Sequence, residues 1–489
     1  MIKNFKWLFL VSLTFVACNN SDDVTTDPNS ADGLPLTSGS ADFSNYVSLG
    51  NSLTAGYSDN ALFIEGQKGS YPAILAQQFA LVGGGEFKIP FMNDNVGGLL
   101  LGGTPVAGPR LYFNGSGPVP VSGTPSTEIT NHLTGPFNNM GVPGAKSFHL
   151  LAPGYGNAAG VATGQANPYY VRFASSATST VIADATAQNP TFFSLWIGNN
   201  DVLAYATSGG TGTNQTGNLN PATYGPNDIT DPNVFASVYN TLVTNLTANG
   251  AKGVVANIPY VTSIPFFTTV PYNAVPLNSG QATALNSGYA AYNAGLQTAK
   301  NYGLITEAER LARTINFSAG QNAVVITDDY LTNLSGLGLP SYRQATASDY
   351  VLLTSGGVSA QTYLAAGNGT QYPLADKWVL SKDEVSELKT ATDAYNSTIQ
   401  SLASSKGLAF VNANAILSQV ASTGITLNGF TMNSTYVTGN SFSLDGVHPS
   451  PRGYALIANK FIEAINATYG SNLKGVDLGN YRILFPASL

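Results

Sequence analysis

The stretch from Asp231 to Pro259 limits the fold more than any other. Asp231-Pro232 has the form of a helix cap and first turn, and Phe235, Val238, Leu242 and Leu246 recur at helical spacing behind it. Gly250 stops that helix, and the run from Gly253 to Pro259, with Val254, Val255 and Ile258, reads as a strand. A helix that leads straight into a strand is half of a crossover unit, so the chain is predicted to be α/β with a parallel sheet. Other segments agree. Phe192 to Ile197 is a short apolar run suited to a buried parallel strand. Ser70-Tyr71-Pro72 opens a helix with Ile74, Leu75, Phe79 and Val82 on one face. Ser381 and Glu384 form a capping box ahead of Val385, Leu388, Tyr395, Ile399 and Leu402. Gly407 ends that helix, Leu408 to Val411 reads as the last core strand, and a final helix spans roughly 452–469.

The first strand-like run, Tyr46-Val47-Ser48-Leu49, stops at Gly50 and places Ser52 on the following turn. Open α/β sheets carry their chemistry at that carboxyl edge. A serine is useful there only if a base takes its proton and donors hold the oxyanion it creates. The chain has three histidines. His448 stands three residues after Asp445, which could fix its tautomer and stabilise the imidazolium. His132 and His149 lack an acid so placed and are read as surface or packing residues. Two segments could complete an oxyanion site: Asn139-Met140-Gly141-Val142-Pro143-Gly144-Ala145 and Trp196-Ile197-Gly198-Asn199-Asn200-Asp201. Singly, each has a plain structural reading as a Gly-rich or polar turn. Four in order, each at a strand end or loop, make coincidence a poor account.

Together the four segments resemble the four blocks of the SGNH (GDSL) hydrolase family, and the N-terminus described below matches a bacterial lipoprotein form of it. Gly50-Asn51-Ser52-Leu53 corresponds to the serine block, although Asn51 stands where the family has Asp. Asn139 to Gly144, Gly198 to Asp201, and Asp445 to His448 correspond to the other three. The resemblance implies a three-layer, flavodoxin-like α/β/α fold with a parallel sheet in the order 2-1-3-4-5 and large insertions. It implies Ser52 as nucleophile, Asp445 and His448 as its partners, and an oxyanion hole from the N–H groups of Ser52 and Gly144 and the side chain of Asn200. The implied activity is ester hydrolysis through an acyl-enzyme, on lipids or short-chain esters, with carbohydrate deacetylation as an alternative within the family. No cofactor or metal is implied. A binding or adhesion lipoprotein on a hydrolase scaffold is the rival from another class, and the four intact residues weigh against it.

The remaining signals concern address and organisation. Lys3 and Lys6 precede the apolar run Trp7–Val16, a signal-peptide core ending in Phe15-Val16-Ala17-Cys18. Cys18, the one cysteine, follows a small residue as in a lipobox, with Phe15 where Leu is usual. Residues 1–18 are therefore read as a lipoprotein signal peptide with Cys18 as the lipidation site. Residues 19–43, polar and Gly/Pro-containing, are read as a flexible tether, and 44–489 as the hydrolase domain. The expected location is the cell envelope, on the outer membrane and surface-exposed, with a lipid anchor as the membrane contact and an ester as the partner. A net charge of −7 and a charged fraction of 10% argue against nucleic acid as a partner. Insertions over 83–135 and 260–380 are expected to shape the pocket. The second carries a helical stretch over 281–302 and the pair Asp328-Asp329, read as a solvated turn in preference to a cation site. Tyr292-Asn293-x-x-Leu296-Gln297 and Tyr395-Asn396-x-x-Ile399-Gln400 are alike and are read as two similar helices.

Overall fold

The computed structural model describes residues 27–489. Residues 1–18, expected to form a signal peptide with Cys18 as its lipidation site, lie outside the described residues. Five parallel strands form the central sheet: β1 (Tyr46–Gly50), β2 (Asn139–Gly141), β3 (Phe192–Trp196), β4 (Lys252–Ala256) and β5 (Ala409–Val411). Their spatial order is β2-β1-β3-β4-β5. The chain is thus mixed α/β with a parallel sheet, in the order expected. Register sets the carboxyl edge: Gly50 lies beside Gly141 on one side and Trp196 on the other. The direction of winding reverses between β1 and β3, and ligands of open α/β sheets sit at such a switch point.

Alternation along the strands explains why both faces are covered. Val47 and Leu49 of β1, Phe193 and Leu195 of β3 and Val255 of β4 enter one core. Tyr46, Phe192, Trp196, Val254 and Ala256 enter the other. Seven helices matter for the site. They are α1 (Ser52–Ala55), α2 (Tyr71–Ala80), α3 (Asn200–Thr207), α4 (Pro232–Thr247), α5 (Lys382–Lys406), α6 (Ala413–Ser422) and α7 (Pro451–Tyr469). Residues of α3, α4 and α5 fill the first core, and residues of α2, α6 and α7 the second. The caps are those read from sequence. Asp231 accepts from the N–H groups of Asn233 and Val234. Ser381 and Glu384 make the reciprocal box on α5.

The recurring Tyr-Asn motif proves structural. Asn396 accepts from the Ile258 N–H (2.7 Å) and donates to its carbonyl (2.8 Å), anchoring the segment after β4. Asn293, on the helix Ser279–Asn301, does the same to Ile315 at 3.0 and 2.8 Å.

Three expectations are corrected. The described part of the tether, 27–43, is bound to the C-terminal segment. The Ala31 N–H donates to the Asn472 carbonyl (2.8 Å), the Lys474 N–H donates to that of Asn29 (3.1 Å), and Ala41 and Phe43 are buried. Its polar residues are satisfied by a polar tail more than 400 residues away in sequence, a pairing that local composition does not reveal. Asp328 is not on a solvated turn. It is buried and accepts from Arg343 Nε at 2.5 Å, while Arg343 also pairs with buried Asp349 at 2.6 Å. Third, the insertion over 83–135 forms small hairpins, Leu99–Leu101 with Thr104–Ala107 and Leu111–Phe113 with Pro118–Pro120, and none of it lines the cavity beside Ser52. From 260–380 only Val261 and Ile264 do so.

The buried ion pairs permit a stability prediction. Truncating Arg343 leaves two buried carboxylates without their cation, so Arg343→Ala is expected to cost about 3–5 kcal/mol in denaturant unfolding. A loss below 1 kcal/mol would contradict the pairing.

Candidate active site

Ser52 is the first residue of α1, the single turn that follows β1. Gly50 is what lets the turn sit there, since a Cβ at that position would overlap Thr54 Oγ1 and the Trp196 carbonyl. Asn51 caps the turn by accepting from the Leu53 N–H at 3.0 Å, and its amide donates to Asn199 Oδ1 at 3.1 Å. A carboxylate at 51 could cap as well but could not make that donation. The asparagine therefore ties the serine turn to the end of β3.

His448 brings the distant end of the chain to Ser52. Its Nε2 lies 2.9 Å from Ser52 Oγ, and its Nδ1 lies 2.9 Å from Asp445 Oδ2. An ionised carboxylate only accepts, so Nδ1 carries the proton and Nε2 accepts from the serine hydroxyl. The Tyr57 ring packs against the imidazole at 4.6 Å between centroids.

Asp445 accepts five hydrogen bonds. The Ser443 hydroxyl and the N–H groups of Val447 and His448 reach Oδ1; the Asn60 N–H and His448 Nδ1–H reach Oδ2. Burial alone would raise its pKa, but the neighbouring imidazole charge and these donors outweigh it and hold the carboxyl at about 2. The group is therefore an anion across the working range.

Asp59 stands behind Asp445. It is buried, its Oδ1 accepts from the Leu444 N–H at 2.9 Å, and its Oδ2 has no partner among the described residues. Burial pushes its carboxyl up to about 7, and the Asp445 charge adds to the rise against the opposing Leu444 N–H and Arg110. Between the unfolded value near 4 and about 7 the folded state holds a proton that the unfolded chain releases, so this group makes stability fall as pH rises through that window. Asp59→Asn removes the titration and keeps a residue that tolerates the observed φ of 50°. Its melting temperature relative to the parent is expected to climb between pH 4 and 7. A pH-independent difference would count against the assignment.

The donors expected of an oxyanion site are not taken up by other groups. Among the described residues neither the Ser52 N–H nor the Gly144 N–H has a backbone or side-chain acceptor. Gly144 is exposed and adopts φ +82°, a conformation that favours glycine. Asn200 is the first residue of α3, and its amide donates to the Ala145 carbonyl at 3.0 Å, which leaves its second N–H available. Buried Asp201 accepts from both the N–H and the hydroxyl of Ser147, at 2.8 and 2.7 Å. The end of β3 thus clamps the loop that carries Gly144 through two successive residues.

All three expected catalytic residues and Asn200 are therefore brought together, with Gly144 held one residue from the Asn200 anchor. The other two histidines are elsewhere. His132 Nε2 pairs with the Ala174 carbonyl at 2.7 Å. His149 stacks on Tyr155, and burial, with the Lys146 charge adding to it, lowers its pKa to about 4, so it is neutral packing. Sequence reasoning missed Tyr57, Asp59, Asn60 and Ser443. The only signal was the Ser58-Asp59-Asn60 run, whose last two residues have positive φ, as turn-forming Asx residues can. Among the described residues no group of three or more His, Cys, Asp or Glu could hold a metal ion. A cavity of about 130 Å³ lies beside Ser52, Asn200 and His448. No family model matches this chain, and no curated protein or solved structure does either.

Proposed function

We propose that the chain is a serine esterase of the SGNH type, cleaving carboxylic esters through an acyl-enzyme on Ser52. The observation that carries this reading is the unbroken hydrogen-bonded relay from Ser52 Oγ through His448 to Asp445, 2.9 Å at each step. The strand order, the Ser52 and Gly144 N–H groups left without acceptors among the described residues, and the second N–H of Asn200 support it.

In this mechanism Ser52 Oγ attacks the ester carbonyl carbon as its proton passes to His448 Nε2. Asp445 keeps the ring oriented and stabilises the imidazolium. The carbonyl oxygen gains negative charge in front of the Ser52 and Gly144 N–H groups and the free N–H of Asn200. Collapse expels the alkoxide, which takes the proton from Nε2. A water then loses its proton to Nε2, attacks the acyl carbon and releases the acid. The N-terminal reading completes the proposal: an envelope lipoprotein anchored through Cys18 on the outer membrane and exposed at the surface, with an ester as its partner.

Reaction with a fluorophosphonate tests the central claim, because only an activated serine is phosphonylated. The full chain is expected to be labelled and Ser52→Ala not. Equal labelling of both would place the nucleophile elsewhere. For the oxyanion site, Asn200→Ala is expected to fold and to lose about 10²–10³ in turnover. Near-native turnover would remove Asn200 from that role.

A further inference from the structure

The cavity beside Ser52 has walls of one chemical kind. It lies at the carboxyl edge of the sheet, over Trp196 at the end of β3. Ile416 and Val420 of α6 and Leu456 and Phe461 of α7 enclose it. Most of its polar lining gathers at the catalytic end, in Ser52, His448 and the asparagines of the serine and β3 turns, and Ser441, whose hydroxyl donates to the Gly439 carbonyl at 3.4 Å, is the other neutral polar group. The one other charged side chain, Lys460, has its ammonium engaged by Glu463 at 2.8 Å. Protein interiors hold few voids larger than a water molecule, so an apolar space of this size opening on an activated serine is a binding site and not a packing fault.

We infer that this cavity holds the unbranched acyl chain, at least about six carbons long, of the ester cleaved at Ser52. The inference rests on the esterase reading and names its substrate class. The chemistry follows from the walls. Hydroxyls of a sugar or a short polar acid would be buried there without partners, whereas methylenes gain by leaving water. The length follows from α7, whose cavity-lining residues run from Leu456 to Phe461. Five residues of helix span about 7.5 Å. An extended chain advances about 1.2 Å per bond, so at least about six carbons fill that span. The cavity takes the acyl half because the alcohol must leave and water must then reach His448 from the vacated side. A dry apolar cleft can retain a chain through both steps but cannot deliver water.

The test is a series of p-nitrophenyl esters with the purified full chain, beside acetate esters of lengthening alcohols. kcat/KM is expected to rise by up to about fourfold per added methylene from acetyl to at least hexanoyl, with little response to the alcohol. Ile416→Trp fills the cavity and is expected to lower the hexanoyl-to-acetyl ratio at least tenfold. Hexanoate is expected to bind Ser52→Ala in calorimetry, which needs neither turnover nor the tryptophan variant. Ser52-dependent hydrolysis that peaks at acetyl, or gains that follow the alcohol, would overturn the acyl assignment and leave the esterase reading intact. Hexanoate binding without hydrolysis of any ester would overturn the esterase reading and with it the chain's role as substrate. Absence of both would overturn the two together.

Discussion

Ser52→Ala is expected to lower ester turnover by about 10⁶, His448→Ala by the same order, and the double variant by no more than either alone. The reason is geometric. Ser52 Oγ has one hydrogen-bond partner among the described residues, His448 Nε2 at 2.9 Å, so neither group has chemistry to perform without the other. A serine with no base is a weak nucleophile, and a base with no serine has nothing to activate in that position. What is expected to survive in all three variants is binding and the proposed oxyanion donors of Ser52 N, Gly144 and Asn200, which do not depend on the Ser52 hydroxyl. Ser52→Ala should also keep the parental melting temperature, because it removes one atom from a cleft and breaks a single hydrogen bond. The measurement is steady-state hydrolysis of one ester by the four proteins at equal folded concentration. Losses that multiply in the double variant would show two independent contributions and sink the relay. A Ser52→Ala protein within tenfold of the parent would sink the nucleophile.

Much of this arrangement was legible in the chain because its signals are local. A helix that runs into a strand, as from Asp231 to Ala256, reports a parallel sheet from its own spacing. Gly50 and Gly144 report close approach and an unusual φ through residue type alone. Ser52, Asn200, Asp445 and His448 each sit in a short segment whose neighbours point to a strand end or loop. The parts that were not legible depend on residues far apart in the chain. Asn60 reaches Asp445 across 385 residues, and Asp59 lies buried behind it with nothing nearby in sequence to say so. Residues 27–43 have a linker's composition, yet they are satisfied by a polar tail more than 400 residues away. The Asp328-Asp329 pair gave no sign that Arg343 would bury one member. The cavity walls were hidden for another reason. Ile416 and Val420 on α6, and Ile457 and Phe461 on α7, have the spacing of any core-facing helix. Periodicity shows that a face is apolar but not whether the space before it is filled. The insertions, expected to shape the pocket, contribute to its wall only through Val261 and Ile264.

Asp445→Asn is expected to lower kcat by about 10⁴ in spite of its near-identical shape. Oδ1 of Asp445 receives three donors and Oδ2 receives two, so an amide nitrogen is disfavoured at either position. The less costly choice keeps oxygen where three donors converge and turns the NH₂ toward Asn60 N–H and His448 Nδ1. That orientation sets two donors against each other at Asn60. It also obliges the imidazole to accept at Nδ1 and carry its proton on Nε2, where it can no longer accept from Ser52. The same substitution has a signature in stability. The folded pKa of Asp445 is about 2 against 3.8 for the free group, so its ionised form contributes about 2 kcal/mol near neutral pH. Because the folded value is the lower one, that contribution is complete above about pH 4 and is lost as pH falls toward 2. The parent should therefore lose its advantage over Asp445→Asn in that acid window, as read by urea unfolding from pH 5 to pH 2. A variant with parental kcat would remove Asp445 from the relay. A variant with the expected kinetic loss but a pH-independent stability difference would keep the tautomer argument and deny that His448 and the surrounding donors hold the carboxylate ionised.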